Sequence, residues 1–390
     1  AEHLADRLVP YSLLGTGLVY LFTRNVTKAL AVLMVDYSCA LKLAMPVTVL
    51  SAIREANNHH ITVKGGKYME AMAEADTIVF DKTGTLTKAL PHVVKVVSFN
   101  GMPEQELLRI AACLEEHFPH SMARAVVDAA EEQGLHHEEM HSKVEYVVAH
   151  GISTMINGKK AVIGSYHFVF EDEGCTIPAA EQEKFDTLDA QYSHLYLCIA
   201  GELAAVICIS DPLRAEAKDA IRALHACGIR KVVMMTGDNR RTAAAVAAEI
   251  GVDEFFAEVL PEDKAAFIRS EKAAGRTVIM IGDGVNDSPA LSEADAGVAI
   301  STGAAIAREI ADITIASEDL FELVTLRRIS EALMARIHRN YRSIVGFYLG
   351  LIIFGVAGIL PPTTSALLHN ASTLAISLKS MTNLLPAAAV

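Results

Sequence analysis

Residues 76–87 read DTIVFDKTGTLT, and this stretch constrains the fold more than any other. Thr77–Phe80 has the apolar, β-branched character of a buried strand, and an aspartate and a glycine turn end it. The same pattern returns at 231–238 (KVVMMTGD) and 277–283 (TVIMIGD). Helical patterns follow; AAAVAAEI at 243–250 stops at Gly251, a good helix terminator. Strand, turn and helix in alternation predict an α/β unit with a parallel sheet. Its active site belongs at the carboxyl ends of the strands.

An insert separates the first strand from the others. Residues 91–205 carry their own apolar runs (VEYVV, KAVIG, LYLCIA) and helical patterns, enough for a small α+β domain. The expected division is therefore 1–75, 76–90, 91–205, 206–325 and 326–390, with the second and fourth pieces forming one domain around the insert. The acidic, histidine-containing stretch 131–143 reads as a solvated surface.

The two ends are different in kind. Hydrophobic residues make up 52% of the chain, charged residues 21%, and the mean hydropathy is +0.30, which argues that part of it lies in lipid. Apolar stretches fall at 8–22, at 29–53 (interrupted by Asp36 and Lys42), at 344–360 and at 364–385. A bilayer span takes roughly 20 apolar residues. The charge-free run 344–360, closed by Pro361 and Pro362, is the strongest candidate. Arg327, Arg328, Arg336, Arg339 and Arg342 precede it, and Arg54, Lys64 and Lys67 follow the second stretch. Both clusters border the middle of the chain, which places that middle in the cytosol and the whole as a multi-pass protein of the cell membrane. The net charge of −13 argues against nucleic acid as a partner. Six cysteines without a CxxC pair argue against a disulfide framework or zinc finger. The first residue is Ala and no cleavable signal is visible, so a fragment of a longer protein is expected.

Four pieces carry the chemistry: DKTGTLT from Asp81, MMTGD with Thr236, Gly237 and Asp238, Lys264 in LPEDKAAFI, and IGDGVNDSPA with Asp283, Asn286 and Asp287. A strand-end carboxylate such as Asp81 can attack a γ-phosphate in line and form an aspartyl phosphate. Thr236 and Lys264 can bond and neutralise the transferring oxygens. Asp283 with Asp81 can hold magnesium, a hard cation that prefers carboxylate and water oxygens.

These residues resemble the haloacid-dehalogenase-like fold, and DKTGTLT resembles the signature of the P-type ATPases within it. The resemblance implies an α/β haloacid-dehalogenase-like phosphorylation domain with an inserted α+β nucleotide-binding domain, flanked by transmembrane helices. It adds Lys82 and Asp287 to the catalytic set and Thr83 to the magnesium site. Soluble phosphatases of this fold carry a second aspartate where this chain has Thr83, so the aspartyl phosphate should be long-lived. The insert is similar to the nucleotide-binding domain of the heavy-metal (type IB) branch. LEEHFPHSMARAVV stands for its SEHP-like motif, with Glu115 and His120 as nucleotide contacts and Ser121 in place of a proline. Gly151 is what remains of a GxG, its first glycine being Ala149, and Asn286 joins the ATP set.

The same resemblance puts the transport site in the second and last apolar stretches. Tyr37-Ser38-Cys39 stands where the branch has a CPC- or SPC-like triplet, followed by Pro46, which should unwind the helix by freeing the carbonyl of Lys42. His369 to Thr373 (HNAST) is similar to an HEGxT-like motif. Cys39, His369, Asp36, Ser38 and Thr373 are thus candidate ligands for a transported ion. One thiol, one imidazole and a carboxylate suit manganese, cobalt, zinc or iron better than copper(I). The implied function is ATP-driven transition-metal transport, outward in direction. A complete pump has further N-terminal spans and an actuator domain with a TGE loop; no TGE occurs in this chain. The rival readings are a soluble-type phosphatase of the same fold and a truncated, non-catalytic membrane regulatory protein.

Overall fold

The structure, a computed structural model, describes residues 2–35, 37–88, 90–116, 121–135, 145–147, 151–156, 158–283, 287–300, 309–317 and 319–386. The chain forms two compact units, residues 75–324 and residues 1–74 with 325–390.

The first of these is built on six parallel strands in the order Ile313–Ile315, Ala296–Ile300, Val278–Gly282, Thr77–Asp81, Lys231–Met235, Glu254–Phe256. Thr77–Asp81 and its neighbour Val278–Gly282 are buried along their whole length, which is why they read as unbroken apolar runs rather than alternating ones. Register then does the positioning. Phe80 lies opposite Ile281, and Asp81 opposite Met235, so Asp81, Thr236 and Asp283 emerge at one edge of the sheet. Helix Arg240–Ile250 starts where Asn239 accepts the Thr242 N–H at 3.0 Å and stops at Gly251, whose φ of 79° a side chain would resist.

The insert is a six-stranded antiparallel sheet, ordered His92–Ser98, Glu202–Ser210, Ser193–Ile199, Lys159–Gly164, Gly151–Ile156, Glu145–Val147. Helices Glu104–Glu115 and Ser121–Glu132 cover one face through Leu107, Leu108, Ala111 and Val126. The other face packs Phe99, Phe168, Tyr196 and Phe185. The expected edge at residue 205 falls inside strand Glu202–Ser210, whose pairing with His92–Ser98 carries the insert on to Ser210.

The other unit is helical: Glu2–Thr23, Val26–Leu33, Tyr37–Asn58, Gly66–Glu74, the long Phe321–Val356 from residue 325 onward, and Pro362–Ser380. Val35, Ala40, Leu41, Ala44 and Met45 pack on Ile344, Tyr348 and Leu351. Three expectations change here. The stretch 29–53 is not one helix: Val26–Leu33 ends at Met34, and a new helix begins at Tyr37. Pro46 does not unwind that helix, which runs through it to Asn58 with the proline on its exposed side. Among the described residues no helix is long and apolar enough to cross a membrane. The run 344–360 outlasts its helix, which ends at Val356, so a membrane-length window within the helix takes in Arg339 and Arg342. Polar Ser, Thr, His and Asn residues dilute Pro362–Ser380 in the same way.

Candidate active site

The turn after Thr77–Asp81 sets the centre. Gly84 has φ 76°, and its N–H donates to Thr87 Oγ1 at 2.8 Å, folding Lys82–Leu86 tightly back at the strand end. Asp81 is 8% exposed and is pinned by Lys264, whose Nζ donates to Asp81 Oδ1 at 2.6 Å and to Asp287 Oδ1 at 2.7 Å. Lys264 reaches there from the first turn of helix Pro261–Ala273, and Asp287 lies directly before helix Ser288–Glu293. Two buried carboxylates therefore share one ammonium.

Electrostatics follow from that count. Burial raises the Asp81 carboxyl to about 6, the Asp287 charge adds to this, and Lys264 opposes it. Asp287 is raised by burial as well, against Lys264. Burial works to deprotonate Lys264, but the two carboxylates outweigh it and hold the ammonium charged. Gly282 is required by this packing, because a Cβ there would come within 2.4 Å of Asp287 Oδ2.

Lys82, next to Asp81 in sequence, engages a different partner. Its buried Nζ lies 2.5 Å from Asp238 and donates to Ser193 Oγ, on the insert, at 3.0 Å. Thr236 is buried, and its hydroxyl accepts the Asp238 N–H at 3.1 Å, which leaves its own proton free to donate. Gly237 is exposed, with open space where a side chain would stand. Thr83 is half-buried in the turn.

Three groups at this junction carried no motif. Ser193 holds Lys82, His194 meets Asn239 Nδ2 at 3.3 Å, and Asp211, raised by burial, is bonded by Thr87 and lies near Lys82. The aspartate-proline pair at 211–212, where the chain re-enters the core, was the one available signal.

Asp81 and Asp283 are the expected magnesium ligands. Asp81 faces Asp287 across Lys264, and Asp283 is felt by Asp287. Among the described residues no three His, Cys, Asp or Glu side chains gather as a metal cage. The donor set nevertheless fits magnesium. Lys264 shows that a cation is stable between the two carboxylates, and Asp287 Oδ2 is buried with no partner among the described residues. Magnesium commonly takes one or two carboxylates and completes its shell with substrate phosphate and water.

Of the nucleotide candidates, Glu115 is 5% exposed at the end of its helix, and burial raises it to about 8. Gly151 is explained by packing, since a Cβ would meet Phe168 at 2.3 Å. His120 and Asn286 lie outside the described residues, as do Ala149 and the Ser121 side chain. Of the transport candidates, His369 and Thr373 are buried; the His369 ring lies 4.6 Å from that of Tyr348, and Thr373 Oγ1 is 2.5 Å from Tyr348 Oη. Cys39 is exposed, and Asp36 and the Ser38 side chain lie outside the described residues.

Residues 75–295 match the model of haloacid dehalogenase-like hydrolases. The chain belongs to that family. It is 36% identical over 379 residues to a manganese-exporting P-type ATPase of Mycobacterium tuberculosis, a match over 96% of this chain and 52% of that protein. It is 35% identical to a zinc-exporting P-type ATPase of Mycobacterium marinum, over 96% and 51%. With copper-transporting ATPase 2 of Rhizobium meliloti it shares 37%, over 88% and 41%. Among solved structures it superposes on a zinc-transporting PIB-type ATPase in an E2·Pi state with a TM-score of 0.67 and 29% identity, over 96% of this chain and 62% of that one. The catalytic domain CopB-B of a CPx-ATPase gives 0.53 and 29%, over 70% and 98%. Its homologues are therefore heavy-metal P-type ATPases, and the chain spans about half the length of the curated relatives it matches.

Proposed function

We propose that the chain is the catalytic portion, with part of the membrane portion, of an ATP-driven transition-metal exporter that works through an aspartyl phosphate on Asp81. The observation that carries this is the convergence of Asp81, Lys264 and Asp287 at the carboxyl end of the central parallel strand. A carboxylate oxygen of Asp81 attacks the γ-phosphorus of ATP in line, the bond to the bridging oxygen breaks, and ADP leaves with that electron pair. Lys264, already within reach, neutralises the phosphoryl oxygens, and the free Thr236 proton hydrogen-bonds one of them. Magnesium held by Asp81 and Asp283, with Asp287 beside them, would screen the charge of the phosphates. Lys82 ties the catalytic turn to the insert through Ser193 and is held charged beside Asp238 of the same domain.

In this reading 76–90 and 211–325 form the phosphorylation domain, the expected edge at 205 moving to Ser210, and the insert from 91 to 210 binds the nucleotide through Glu115, His120 and Gly151. The end regions, 1–75 and 326–390, lie in the cell membrane with the catalytic domains in the cytosol. The support is the apolar surface those ends expose: Phe22 is 81% exposed, Tyr11 70% and Leu367 68%. Cys39, His369 and Thr373, with Asp36 and Ser38, take the ion. One thiol and one imidazole favour manganese or zinc, for which two of the relatives are named, over copper. The test is acid-stable, hydroxylamine-sensitive labelling from γ-labelled ATP, followed by a panel of metal ions on the ATPase activity of the full-length protein. Labelling that persists in Asp81→Asn overturns the assignment.

A further inference from the structure

The long helix Phe321–Val356 uses its cations in two ways. Arg327 bonds Glu331 Oε1 at 2.8 Å and the carbonyl of Met72. Arg336 is buried and donates to the carbonyls of Thr382 and Asn383, at 2.5 and 2.7 Å. Those two arginines are spent on internal carbonyls and an acid. Arg339 and Arg342 differ: both are exposed, and neither has an acidic partner among the described residues. With Ala335, His338 and Ser343 they line a cavity of about 550 Å³, the five residues following an i, i+3, i+4, i+7, i+8 course on one helix face.

The same face continues into the apolar run. One row reads Arg339, Ser343, Phe347, and the next reads Arg342, Gly346, Leu349, Ile353. Phe347, Leu349, Ile353 and Phe354 are exposed. Between them, Gly346 and Gly350 have no atom within 4 Å of where a side chain would begin, so the face carries a shallow open groove. A cationic cavity continuous with an apolar groove is complementary to one kind of molecule, an anionic amphiphile.

We propose that this face binds an anionic phospholipid, its phosphate in the cavity against Arg339, Arg342 and His338 and an acyl chain along Gly346 and Gly350. The inference rests on the membrane reading above. Charge complementarity selects the occupant: a zwitterionic headgroup brings its own cation against two exposed guanidinium groups, and a soluble anion leaves the apolar groove unused.

The test uses the full chain in neutral detergent, titrated calorimetrically with dioctanoyl phosphatidylglycerol, dioctanoyl phosphatidylcholine and inorganic phosphate. Phosphatidylglycerol should bind at least about tenfold more tightly than either of the others. Each of Arg339→Gln and Arg342→Gln should weaken it about fivefold, and the pair roughly twenty-five-fold, at the usual worth of a basic residue near an anionic lipid. Gly346→Leu with Gly350→Leu keeps every charge and fills the groove, so it should weaken phosphatidylglycerol and leave phosphate unchanged. Arg328→Gln, exposed on the same helix outside the cavity, should change nothing. Equal binding of the two lipids, phosphate binding as tight as the lipid, or unchanged affinity in the double arginine variant overturns the proposal. Incorporation into phosphatidylcholine vesicles separates the two ideas. A chain that stays out of them refutes the membrane reading and this inference together; one that enters them without preferring the anionic lipid refutes this inference alone.

Discussion

In the unit 75–324, residues 81, 264 and 287 lie far apart in sequence and end within hydrogen-bond reach of one ammonium. In the helical unit, Cys39 and His369 are also far apart, yet one is exposed and the other is packed on a tyrosine ring. The difference is one of scaffold. Parallel strands in register fix which residues emerge together at a sheet edge, so placing Asp81 also places Thr236 and Asp283. A helix pair imposes no such register: a side chain meets its partner only if rotation and shift are right, and apolar packing tolerates several choices. Chemistry should therefore fail at single positions in the first unit, and the second should be more forgiving of structural change.

The largest effect expected is at Asp81, the proposed nucleophile. Asp81→Asn should abolish phosphorylation from ATP, because an amide oxygen cannot form the acyl phosphate; gel labelling of the purified chain measures it. Next is Lys264→Ala, which leaves Asp81 and Asp287 buried and facing each other without their cation. A loss of about 3–5 kcal/mol in unfolding free energy at neutral pH is expected, as when one partner of a buried ion pair is removed. Part of that loss should return on acidification, because protonating either carboxyl removes the repulsion. A Lys264→Ala variant as stable as the parent at pH 7 would mean that water already screens this pair.

A third test separates burial from motif. Glu115 is raised from 4.5 to about 8 by burial. Its protonated form is the one the fold prefers, so stability is fullest below about 4.5 and declines as pH rises toward about 8. Glu115→Gln should flatten that decline and stabilise the chain by a few kcal/mol at pH 8, read by denaturant unfolding across pH. If Glu115 contacts nucleotide, the same variant should also lower ATP affinity, whereas a purely structural carboxyl would leave it unchanged.

How much of this was legible before the structure follows from the same contrast. Strand Lys231–Met235 appears with the bounds its apolar run suggested, and Thr77–Asp81 and Val278–Gly282 lie within a residue of theirs, because fully buried parallel strands are uninterrupted in sequence. The aspartates that end them were visible as motif. The partners of Lys82 were not: the resemblance marked it only as one of the catalytic set, and beside the tight turn at Gly84 it points to Asp238 and Ser193. Ser193 and His194 belong to an ordinary-looking strand, and only the docking of the insert beside Asn239 gives them work. In the helical unit, hydropathy marked apolar stretches but not where helices stop. The break after Met34 falls beside the interruption at Asp36, whereas the end at Val356 lies inside an uninterrupted apolar run.

The smallest structural effect expected is at Cys39, and that makes it the cleanest probe of the second unit. Cys39 is exposed, so Cys39→Ala removes one sulfur and should leave unfolding within about 0.5 kcal/mol of the parent, as surface changes usually do. His369 is less suitable: it is buried against Tyr348, and Thr373 Oγ1 donates to its carbonyl at 3.0 Å, so His369→Ala would disturb packing as well as chemistry. In the full-length protein, any loss of metal-stimulated ATPase activity in Cys39→Ala can therefore be charged to a missing ligand rather than to a loosened fold. Cys39→Ser keeps the size and a hard oxygen donor. If the ion is hard, as manganese is, serine should retain more of the stimulation than alanine; if it is softer, as zinc is, the two should lose it together. Full stimulation with unchanged ion affinity in both variants would remove Cys39 from the transport site and leave the helical unit with His369 alone among its thiol and imidazole candidates.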